Sequence, residues 1–361
     1  MRKLHEEQLR DIVLGAGLMG GGGGGSIAEG MRLVDRVLEF GEAVELVTPE
    51  ELPESAWGAV IAGVGSPKSS LHLIRTKSPT LALELLEQAV GKRFSFVIPF
   101  EVGAGNSINP MLASIQKGIP IIDGDPCGRA VPEINMTTFH LGGIPITPLA
   151  LSTEDRISAI IRTPVPHDAE RVTRAITAEL GGVSAIAAQH MSAADLKRLV
   201  IPGTTSIIER VGRSIRETRS KHGDVVEVLR TRFKGHLLGK GRVAGLSGET
   251  RNGFDFGCVE LEGGLPVKVF FQNESMIALR EEELLAVVPD LICCLDHEGN
   301  PLTNADIAEG MDVVYIGFAG HPMFRKPEAY NLFTTILSRL GYESGFRPIE
   351  NLAAGGKSPG R

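Results

Sequence analysis

The stretch Ile119–Leu141, IPIIDGDPCGRAVPEINMTTFHL, decides how the rest of the chain is interpreted. It opens with an apolar run, Ile119–Ile122, which is followed at once by the turn-forming residues Asp123-Gly124-Asp125-Pro126. This order is typical of a buried strand that ends in a polar loop. In an open α/β sheet the loops at the carboxyl ends of the strands face the ligand crevice. The stretch therefore predicts one strand of an α/β sheet and a site at its end.

Acidic, basic and thiol side chains are dense in this stretch. They are Asp123, Asp125, Cys127, Arg129, Glu133 and His140. Local structure explains any one of them, since the two aspartates can build an Asx turn, and Arg129 with Glu133 can form an exposed ion pair. Taken as a cluster they indicate a functional site. We predict that its catalytic residues are Asp123, Asp125, Arg129 and Glu133.

Length and composition describe a globular protein of two domains. The chain has 361 residues, is 42% hydrophobic and 22% charged, and carries a net charge of -7. This length exceeds one average core, and without a Lys/Arg block the acidic chain is not expected to bind nucleic acid. No apolar run is long enough for a membrane span, and the four cysteines form neither a disulfide framework nor a spaced zinc motif. We expect a cytoplasmic protein with a small-molecule substrate, and a homo-oligomer is a common state for such a protein.

The segment Gly15–Ser26, GAGLMGGGGGGS, has two interpretations. Residues 15–20 match the dinucleotide fingerprint G-x-G-x-x-G, but that fingerprint follows a strand, and residues 4–14 have the spacing of an amphipathic helix. We therefore expect no dinucleotide cofactor. The glycines stand before a helix with a good N-cap residue, where amide N–H groups can bind a phosphate, a carboxylate or an oxyanion; the alternative is a flexible linker. The predicted substrate-binding residues here are Gly21, Gly22, Gly23, Gly24, Gly25 and Ser26.

Apolar strands alternate with helical segments through the first part of the chain, which predicts a parallel sheet covered on both faces. Helices are predicted at 26–40, 80–90 and 109–117, and strands at 44–47, 59–64, 94–99 and 119–122. Two of these strands run into polar loops, at 65–68 and at 101–106. Since loops of this kind meet at one sheet edge, Glu101 and Asn106 are further candidates for substrate binding.

The pattern of glycines and apolar residues changes from about residue 233. Regularly spaced glycines separate short alternating runs, which is typical of antiparallel β structure, and Asn252-Gly253 is a hairpin signal. Asn273 and Glu274 follow the apolar strand VKVFF, and they either form a plain turn or reach into the cleft between the domains. A closing helix is predicted at 327–340.

The sequence thus predicts a two-domain α+β chain. The first domain, 1–160, is a three-layer α/β domain with a mainly parallel sheet. A bridging segment of helices and strands follows at 161–230, and a β-rich domain at 231–361.

Several motifs together resemble one bacterial family, the S-methyl thiohydantoin desulfurase-like proteins. They are the glycine-rich loop at 17–26, the stretch 119–140, IPGTTSIIERVGRSI at 201–215, FQNE at 271–274 and DVVYIGF at 312–318. The resemblance covers nearly the whole chain and implies an α/β N-terminal domain, a β-rich C-terminal domain and hydrolytic loss of sulfur from a five-membered thiohydantoin ring. Cys127 lies where we expect the family to vary, which counts against it as an obligatory nucleophile.

The implied reaction needs an activated water, a site for the negative charge of the addition intermediate and a proton for the departing sulfur. Asp123 or Asp125 is the expected general base, because a neighbouring carboxylate raises its pKa. Glu133 is the expected proton donor, and Arg129 would bind an anionic ring or a carboxylate tail through its fork of N–H groups. The amide N–H groups of Gly21–Gly25 would meet the developing charge.

Two alternatives stay open at this point. Asp123, Asp125 and His140 could hold one divalent metal, zinc or manganese, that activates the water, although their spacing matches no established zinc signature. The protein could also be a non-catalytic protein that binds a small anion, or a regulatory protein, using the glycine loop. The paired aspartates would then be structural.

Overall fold

The computed structural model describes residues 1–65, 76–251 and 254–354. The strands of its N-terminal half are β1 (Arg2–Leu4), β2 (Val44–Val47), β3 (Trp57–Gly65), β4 (Phe96–Pro99), β5 (Ile121–Ile122), β6 (Gly124–Asp125), β7 (Leu149–Ser152), β8 (Ser158–Ile161), β9 (Val183–Ser192) and β10 (Ile201–Pro202). Eight of them form one sheet in the order β1-β2-β5-β4-β3-β9-β7-β8, and β6 pairs with β10.

Parallel pairing is confined to the centre of this sheet. Strands β2, β5, β4 and β3 are parallel neighbours. Strand β1 on one side and strands β9, β7 and β8 on the other are antiparallel. The predicted α/β class is confirmed, and the sheet is mixed rather than mainly parallel, because β9, from the segment 161–230, returns to pair with β3.

The helices are α1 (Glu6–Met19), α2 (Ile27–Leu38), α3 (Ser78–Val90), α4 (Asn109–Lys117), α5 (Thr138–Leu141), α6 (Pro166–Glu179), α7 (Ala193–Leu199), α8 (Thr204–Ser220), α9 (Val225–Phe233), α10 (Pro327–Arg339) and α11 (Ile349–Ala354). A single 3-10 turn at Pro49–Glu51 accompanies them in the described part of the chain. Over the same residues, every helix is too short or too polar to cross a membrane.

Helix α1 is longer than predicted, and the first two glycines of the G-x-G-x-x-G match lie inside it. These glycines serve helix packing. A Cβ added at Gly15 would stand 1.8 Å from the carbonyl oxygen of Ile208 in α8, and one added at Gly212 would stand 1.8 Å from the carbonyl oxygen of Asp11. The two helices therefore cross with their backbones in contact, and Arg216 holds the crossing by donating to the Asp11 carboxylate at 2.7 Å.

The C-terminal half is an antiparallel sheet, as the glycine spacing predicts. Its strands are β11 (His236–Arg251), β12 (Phe254–Leu265), β13 (Lys268–Gln272), β14 (Glu274–Arg280), β15 (Glu283–Val287), β16 (Leu291–Asp296), β17 (Pro301–Leu302) and β18 (Asp312–Phe318), in the order β15-β14-β13-β12-β11-β18-β16-β17. The β-rich second domain is confirmed. The Asn252-Gly253 turn and most of the loop 65–68 lie outside the described residues.

The two halves share hydrophobic packing. One cluster of buried side chains contains Phe100, Val131, Ile134 and Ile186 from the N-terminal half together with Met276, Ile277, Val287 and Phe333 from the C-terminal half. Burial of such side chains is the main favourable term in folding. It fixes the C-terminal sheet against the polar edge of the N-terminal sheet.

Candidate functional site

A small cavity of about 90 Å³ lies where the two halves meet. Its walls are the glycine loop at 23–25, the end of β3 at 62–65, the loop after β4, the segment 131–134, helix α6 and the turn 273–274. Since one water molecule needs about 10–15 Å³ of volume measured in this way, the space holds several waters. It therefore suits a small ring better than the larger ligands that fill pockets of about 300 Å³ or more.

Many residues predicted from the sequence meet at this cavity. They are Gly23, Gly24, Gly25, Glu101, Asn106, Glu133, Asn273 and Glu274. The loop after β4 lies at the sheet edge, as we predicted from the polar residues that follow this strand. Of the two interpretations of the turn 273–274, the structure has the one in which the C-terminal half reaches into the cleft.

The glycine loop is packed on all sides, so it is not a flexible linker. A Cβ added at Gly23 would stand 2.0 Å from Oε1 of Glu274, and one at Gly24 would stand 2.5 Å from Cα of Gly103. A Cβ at Gly22 would stand 2.5 Å from Nδ2 of Asn304. The run of glycines is therefore required by close approach of three other segments.

The carbonyl oxygens of this loop are hydrogen-bonded, whereas several of its amide N–H groups are not. The carbonyl oxygens of Gly21, Gly22 and Gly24 accept hydrogen bonds from the backbone N–H groups of Ser275 at 2.8 Å, Asn304 at 2.9 Å and Gly105 at 3.0 Å. The N–H groups of residues 22–25, in contrast, donate to no acceptor that the structure describes. They lead into α2, whose N-cap Ser26 accepts from the N–H of Glu29 at 3.1 Å. The loop thus offers free donors at the positive end of a helix dipole.

Glu101 is a buried and firmly held carboxyl group of the cavity wall. Its Oε1 accepts from Nδ2 of Asn106 at 2.7 Å, and its Oε2 accepts from the N–H of Val131 at 2.7 Å. Burial raises the pKa of Glu101 to about 7 despite these hydrogen bonds, and the negative charge of Asp125 raises it further. A group with this pKa exchanges protons near neutral pH.

Glu274 is the second buried carboxyl group, and it comes from the C-terminal half. It is 3% exposed, and its Oε2 has no hydrogen-bond partner among the described residues. Burial raises the pKa of Glu274 well above its usual value, and the charge of Glu101 raises it further, while Arg129 opposes the shift. The negative charge of Glu101 therefore favours the protonated form of Glu274.

The turn that presents Glu274 has an unusual backbone. Asn273 has a φ of 56°, a left-handed conformation that asparagine tolerates better than most residues. Its Oδ1 accepts from the N–H of Asp255 at 2.9 Å, and its carbonyl oxygen accepts from Nδ2 of Asn304 at 2.8 Å. The orientation of Glu274 is therefore fixed by hydrogen bonds on both sides of the turn.

Glu133 lies on the same cavity wall beside two residues that the sequence analysis missed, Glu170 and Arg174. Burial and the charge of Glu170 raise the pKa of Glu133. Oε2 of Glu170 accepts from the N–H of Ile134 at 2.7 Å, and its Oε1 pairs with Nε of Arg174. The guanidinium of Arg174 also stands 3.9 Å over the ring of Phe254. The i, i+4 spacing of Glu170 and Arg174 on a predicted helix indicates that the two side chains pair. No local sequence pattern indicates that this helix, α6, lies at the cavity.

The two aspartates that were predicted as general bases do not line this cavity. Asp123 accepts from the N–H of Ser206 at 2.9 Å and from its hydroxyl group. Oδ1 of Asp125 accepts from the N–H groups of Cys127 at 2.7 Å and Gly128 at 2.6 Å, which is an Asx turn. Burial raises the pKa of Asp125 to about 6. The contacts of Asp123 and Asp125 therefore favour the interpretation in which the two aspartates stabilise local structure.

Arg129 also lies outside the lining of the cavity. It is 1% exposed, and its guanidinium donates to the carbonyl oxygens of Asp290 at 2.9 Å, Pro289 at 3.3 Å and Ser275 at 3.4 Å. These acceptors belong to the C-terminal half, so the side chain joins the two halves. Its contacts favour a structural role over the predicted binding of an anionic substrate group, because four of its five N–H groups donate to backbone carbonyl oxygens.

Cys127 is buried and is not part of the cavity lining. Its single S–H group lies within hydrogen-bond distance of two carbonyl oxygens, those of Phe100 at 3.3 Å and Met136 at 3.4 Å. Burial raises the pKa of the Cys127 thiol well above its usual value. Such a thiol is a poor nucleophile.

The donor set proposed for a divalent metal is not assembled. Within the described ranges, no three His, Cys, Asp or Glu side chains are grouped so that they could hold a metal ion. Asp123 and Asp125 are bound to backbone N–H groups, and His140 lies on α5 with its pKa lowered by burial. These residues do not fit a zinc or manganese site, so no step of the chemistry below uses a metal.

The fold and the cavity define a class of protein: an α/β domain and an antiparallel β domain that build one small, acidic pocket together. The family models for the S-Me-THD-like N-terminal and C-terminal domains match residues 7–163 and 165–349. The chain therefore belongs to the S-Me-THD-like family, and the resemblance seen in the sequence is confirmed.

A solved structure is similar over nearly the full length. It is the crystal structure of a protein from Chromobacterium violaceum, with a TM-score of 0.85 and 23% sequence identity over 97% of this chain and 100% of that chain. This similarity supports the fold. No curated protein matches the sequence.

Proposed function

We propose that this protein is a hydrolase that replaces sulfur by oxygen at the carbon between the two nitrogens of a five-membered thiohydantoin ring. Membership of the S-Me-THD-like family supports an enzyme of this kind. The observation that carries the proposal is the pair of buried carboxyl groups, Glu101 and Glu274, which share one small cavity with the free N–H groups of residues 23–25.

The two carboxyl groups divide the acid and base work between them. Glu101, whose pKa is raised to about 7, takes a proton from a water molecule as its oxygen bonds to the ring carbon. The negative charge of the resulting tetrahedral intermediate is stabilised by the N–H groups of the glycine loop. Glu274, whose pKa burial raises well above its usual value, gives its proton to the sulfur as the carbon–sulfur bond breaks and the electron pair leaves with sulfur. The hydroxyl group of the intermediate passes its proton to Glu274 as the new carbonyl forms, and Glu101 gives the proton that it took from water to the departing sulfide, or to a ring nitrogen of an S-methyl substrate. The products are the hydantoin and hydrogen sulfide, or methanethiol from an S-methyl substrate.

These roles differ from the sequence-based ones in a definite way. The general base moves from Asp123 or Asp125 to Glu101, because Glu101 lines the cavity and the two aspartates do not. Glu133 lines the same wall and is the alternative proton donor, since burial also raises its pKa.

The test is turnover of a thiohydantoin and its S-methyl derivative in water labelled with oxygen-18. We expect sulfide or methanethiol to be released, and one labelled oxygen in the hydantoin by mass spectrometry. Glu101→Gln and Glu274→Gln should each lower kcat by about 10² to 10⁴, the usual range for a general acid or base. Glu283→Gln, which changes an exposed carboxyl group at the start of β15, is the matched control. Absence of thiol release from both substrates would refute the proposal.

A second candidate is a non-catalytic protein that binds a small anion, favoured by the free N–H groups at residues 22–25. It predicts that calorimetry detects a ring anion or carboxylate at the cavity, that no thiol is released and that Glu274→Gln strengthens binding by removing a negative charge. Elemental mass spectrometry of the same purified protein would measure any bound zinc or manganese.

A further inference from the structure

Asn106 lines the cavity and is hydrogen-bonded to three parts of its wall. Its backbone N–H donates to the carbonyl oxygen of Gly24 in the glycine loop at 3.1 Å. Its Oδ1 accepts from the N–H of Gly63, near the end of β3, at 2.8 Å, and its Nδ2 donates to Oε1 of Glu101 at 2.7 Å. One residue thus connects the first sheet, the glycine loop and the proposed general base.

These contacts allow only one orientation of the Asn106 amide. A backbone N–H can only donate, so the amide atom that meets Gly63 has to be the oxygen. Nδ2 of Asn109, at the start of α4, donates to the same oxygen at 3.3 Å. The nitrogen of the Asn106 amide is therefore turned towards Glu101, and towards that carboxyl group it can only act as a donor.

A fixed donor in this position favours the ionised form of Glu101. The hydrogen bond from Asn106 lowers the pKa of Glu101, against the larger effect of burial, which raises that pKa to about 7. A general base has to be ionised before it takes a proton from water, and its oxygen atoms have to stay in place while it does so. The amide of Asn106 serves both requirements.

Charged groups from other elements also act on Glu101. The charge of Asp125 raises the pKa of Glu101, and that of Arg129 lowers it. Further charged side chains line the same cavity, namely Glu29, Glu133, Glu170, Arg174 and Glu274. A substitution at residue 106 leaves all of them in the chain, so a changed ionisation of Glu101 reports the loss of the amide.

We propose that Asn106 is a positioning residue, which holds the carboxylate of Glu101 in its ionised form and in a fixed orientation beside the glycine loop. This inference rests on the proposed function, in which Glu101 is the general base. It differs from the sequence-based role of Asn106 in substrate binding, because the amide oxygen is hydrogen-bonded to Gly63 and Asn109 and the amide nitrogen to Glu101.

The experiment measures the ionisation of Glu101 and the turnover of the same variants. Asn106→Leu removes the amide at similar size, and Asn106→Asp keeps an acceptor for Gly63 but places a carboxyl oxygen against Glu101. Carbon-13 NMR of carboxyl-labelled glutamate gives the pKa of Glu101, whose signal is assigned by its loss in Glu101→Gln. Asn300→Leu is the matched control, since Nδ2 of Asn300 also donates to a carboxylate at 2.7 Å, that of Asp296, and neither residue lines the cavity.

We expect the pKa of Glu101, and with it the pH at which kcat/KM falls on the acid side, to move towards alkaline pH. The movement should be about one pH unit in Asn106→Leu, because a hydrogen bond to a charged group is lost. It should be larger in Asn106→Asp, because a second carboxylate repels the first. KM should change less than kcat, and Asn300→Leu should match the wild type in all of these measurements.

If KM rises in the Asn106 variants while the pKa of Glu101 keeps its wild-type value, Asn106 contacts the substrate, and the inference is wrong although the proposed reaction stands. If the wild type releases no thiol, the proposed function is wrong, and the NMR titration alone supports or overturns the hold of Asn106 on Glu101. Should the variants fail to fold, as circular dichroism would show, the wild type decides the question. Its Asn106 Nδ2 resonance should shift with pH at the midpoint of the Glu101 titration, and a resonance that does not follow Glu101 would overturn the inference.

Discussion

Replacement of Gly23 by alanine tests the proposed site at a single atom. A Cβ at this position would stand 2.0 Å from Oε1 of Glu274, whereas ordinary contacts begin at 3.4 Å, so the carboxyl group has to move by more than 1 Å. Gly23 has no positive φ, unlike Gly21, Gly22, Gly24 and Gly25, and alanine therefore fits its backbone. A displacement of about 1 Å at a reacting group lowers the rate by about 10²-fold, which is about 2.7 kcal/mol of activation free energy.

The assay is the release of sulfide under saturating substrate, beside thermal unfolding of the same variant. We expect kcat to fall by about 100-fold while Tm changes by only a few degrees, because alanine also restricts the unfolded chain and so offsets part of the crowding. Gly245→Ala is the control, since a Cβ there would make its nearest contact at 3.8 Å from Cβ of Glu260. A Gly23→Ala protein with kcat within twofold of wild type would show that the position of Glu274 does not matter for turnover.

Two further predictions follow from the buried carboxyl groups. The rate should fall below about pH 7 as Glu101 takes up a proton, since the pKa of Glu101 is raised to about 7. A profile of kcat/KM that is flat from pH 5 to 8 would contradict its role as the general base. Asp125→Asn should keep its turnover and shift the acidic limb to lower pH, because the charge of Asp125 helps to raise the pKa of Glu101. The wild type should lose about 2 kcal/mol of unfolding free energy between about pH 4 and pH 6, because the folded pKa of Asp125 is raised to about 6 and the unfolded chain ionises this carboxyl group first. Asp125→Asn should not show this loss, which urea unfolding at pH 4 and pH 6 would measure. If Asp125→Asn has no turnover, Asp125 belongs to the mechanism after all.

The elements of the fold were largely predictable because their signals are local. The helix predicted at 109–117 has those bounds in the structure, since Pro110 stands in its first turn and Gly118 ends it in the left-handed conformation. The strand predicted at 44–47 is equally accurate. The return of β9 to the first sheet was not predictable in this way, because strand pairing between distant segments leaves no local pattern.

The location of the cavity was predictable from the sequence, and some of the residues that line it were predictable too. Glu101 and Asn106 were found because a strand end with polar residues indicates a sheet edge. The ranking of Asp125 above Glu101 followed from the density of charges near it, and an Asx turn produces the same sequence pattern as a catalytic pair. The contact of Gly23 with Glu274 depends on the docking of two domains, which a single sequence does not reveal.

The shared hydrophobic cluster and the buried guanidinium of Arg129 have a consequence for how a ligand enters. Enzymes with a site between two domains often admit substrate by swinging the domains apart about a hinge. In this protein, such an opening would expose the shared hydrophobic cluster to water. It would also break the hydrogen bonds from Arg129 to the carbonyl oxygens of Asp290, Pro289 and Ser275. Unpaired buried charge and exposed core are both costly. The two domains therefore move as one rigid unit, and a ligand reaches the cavity without separation of the domains.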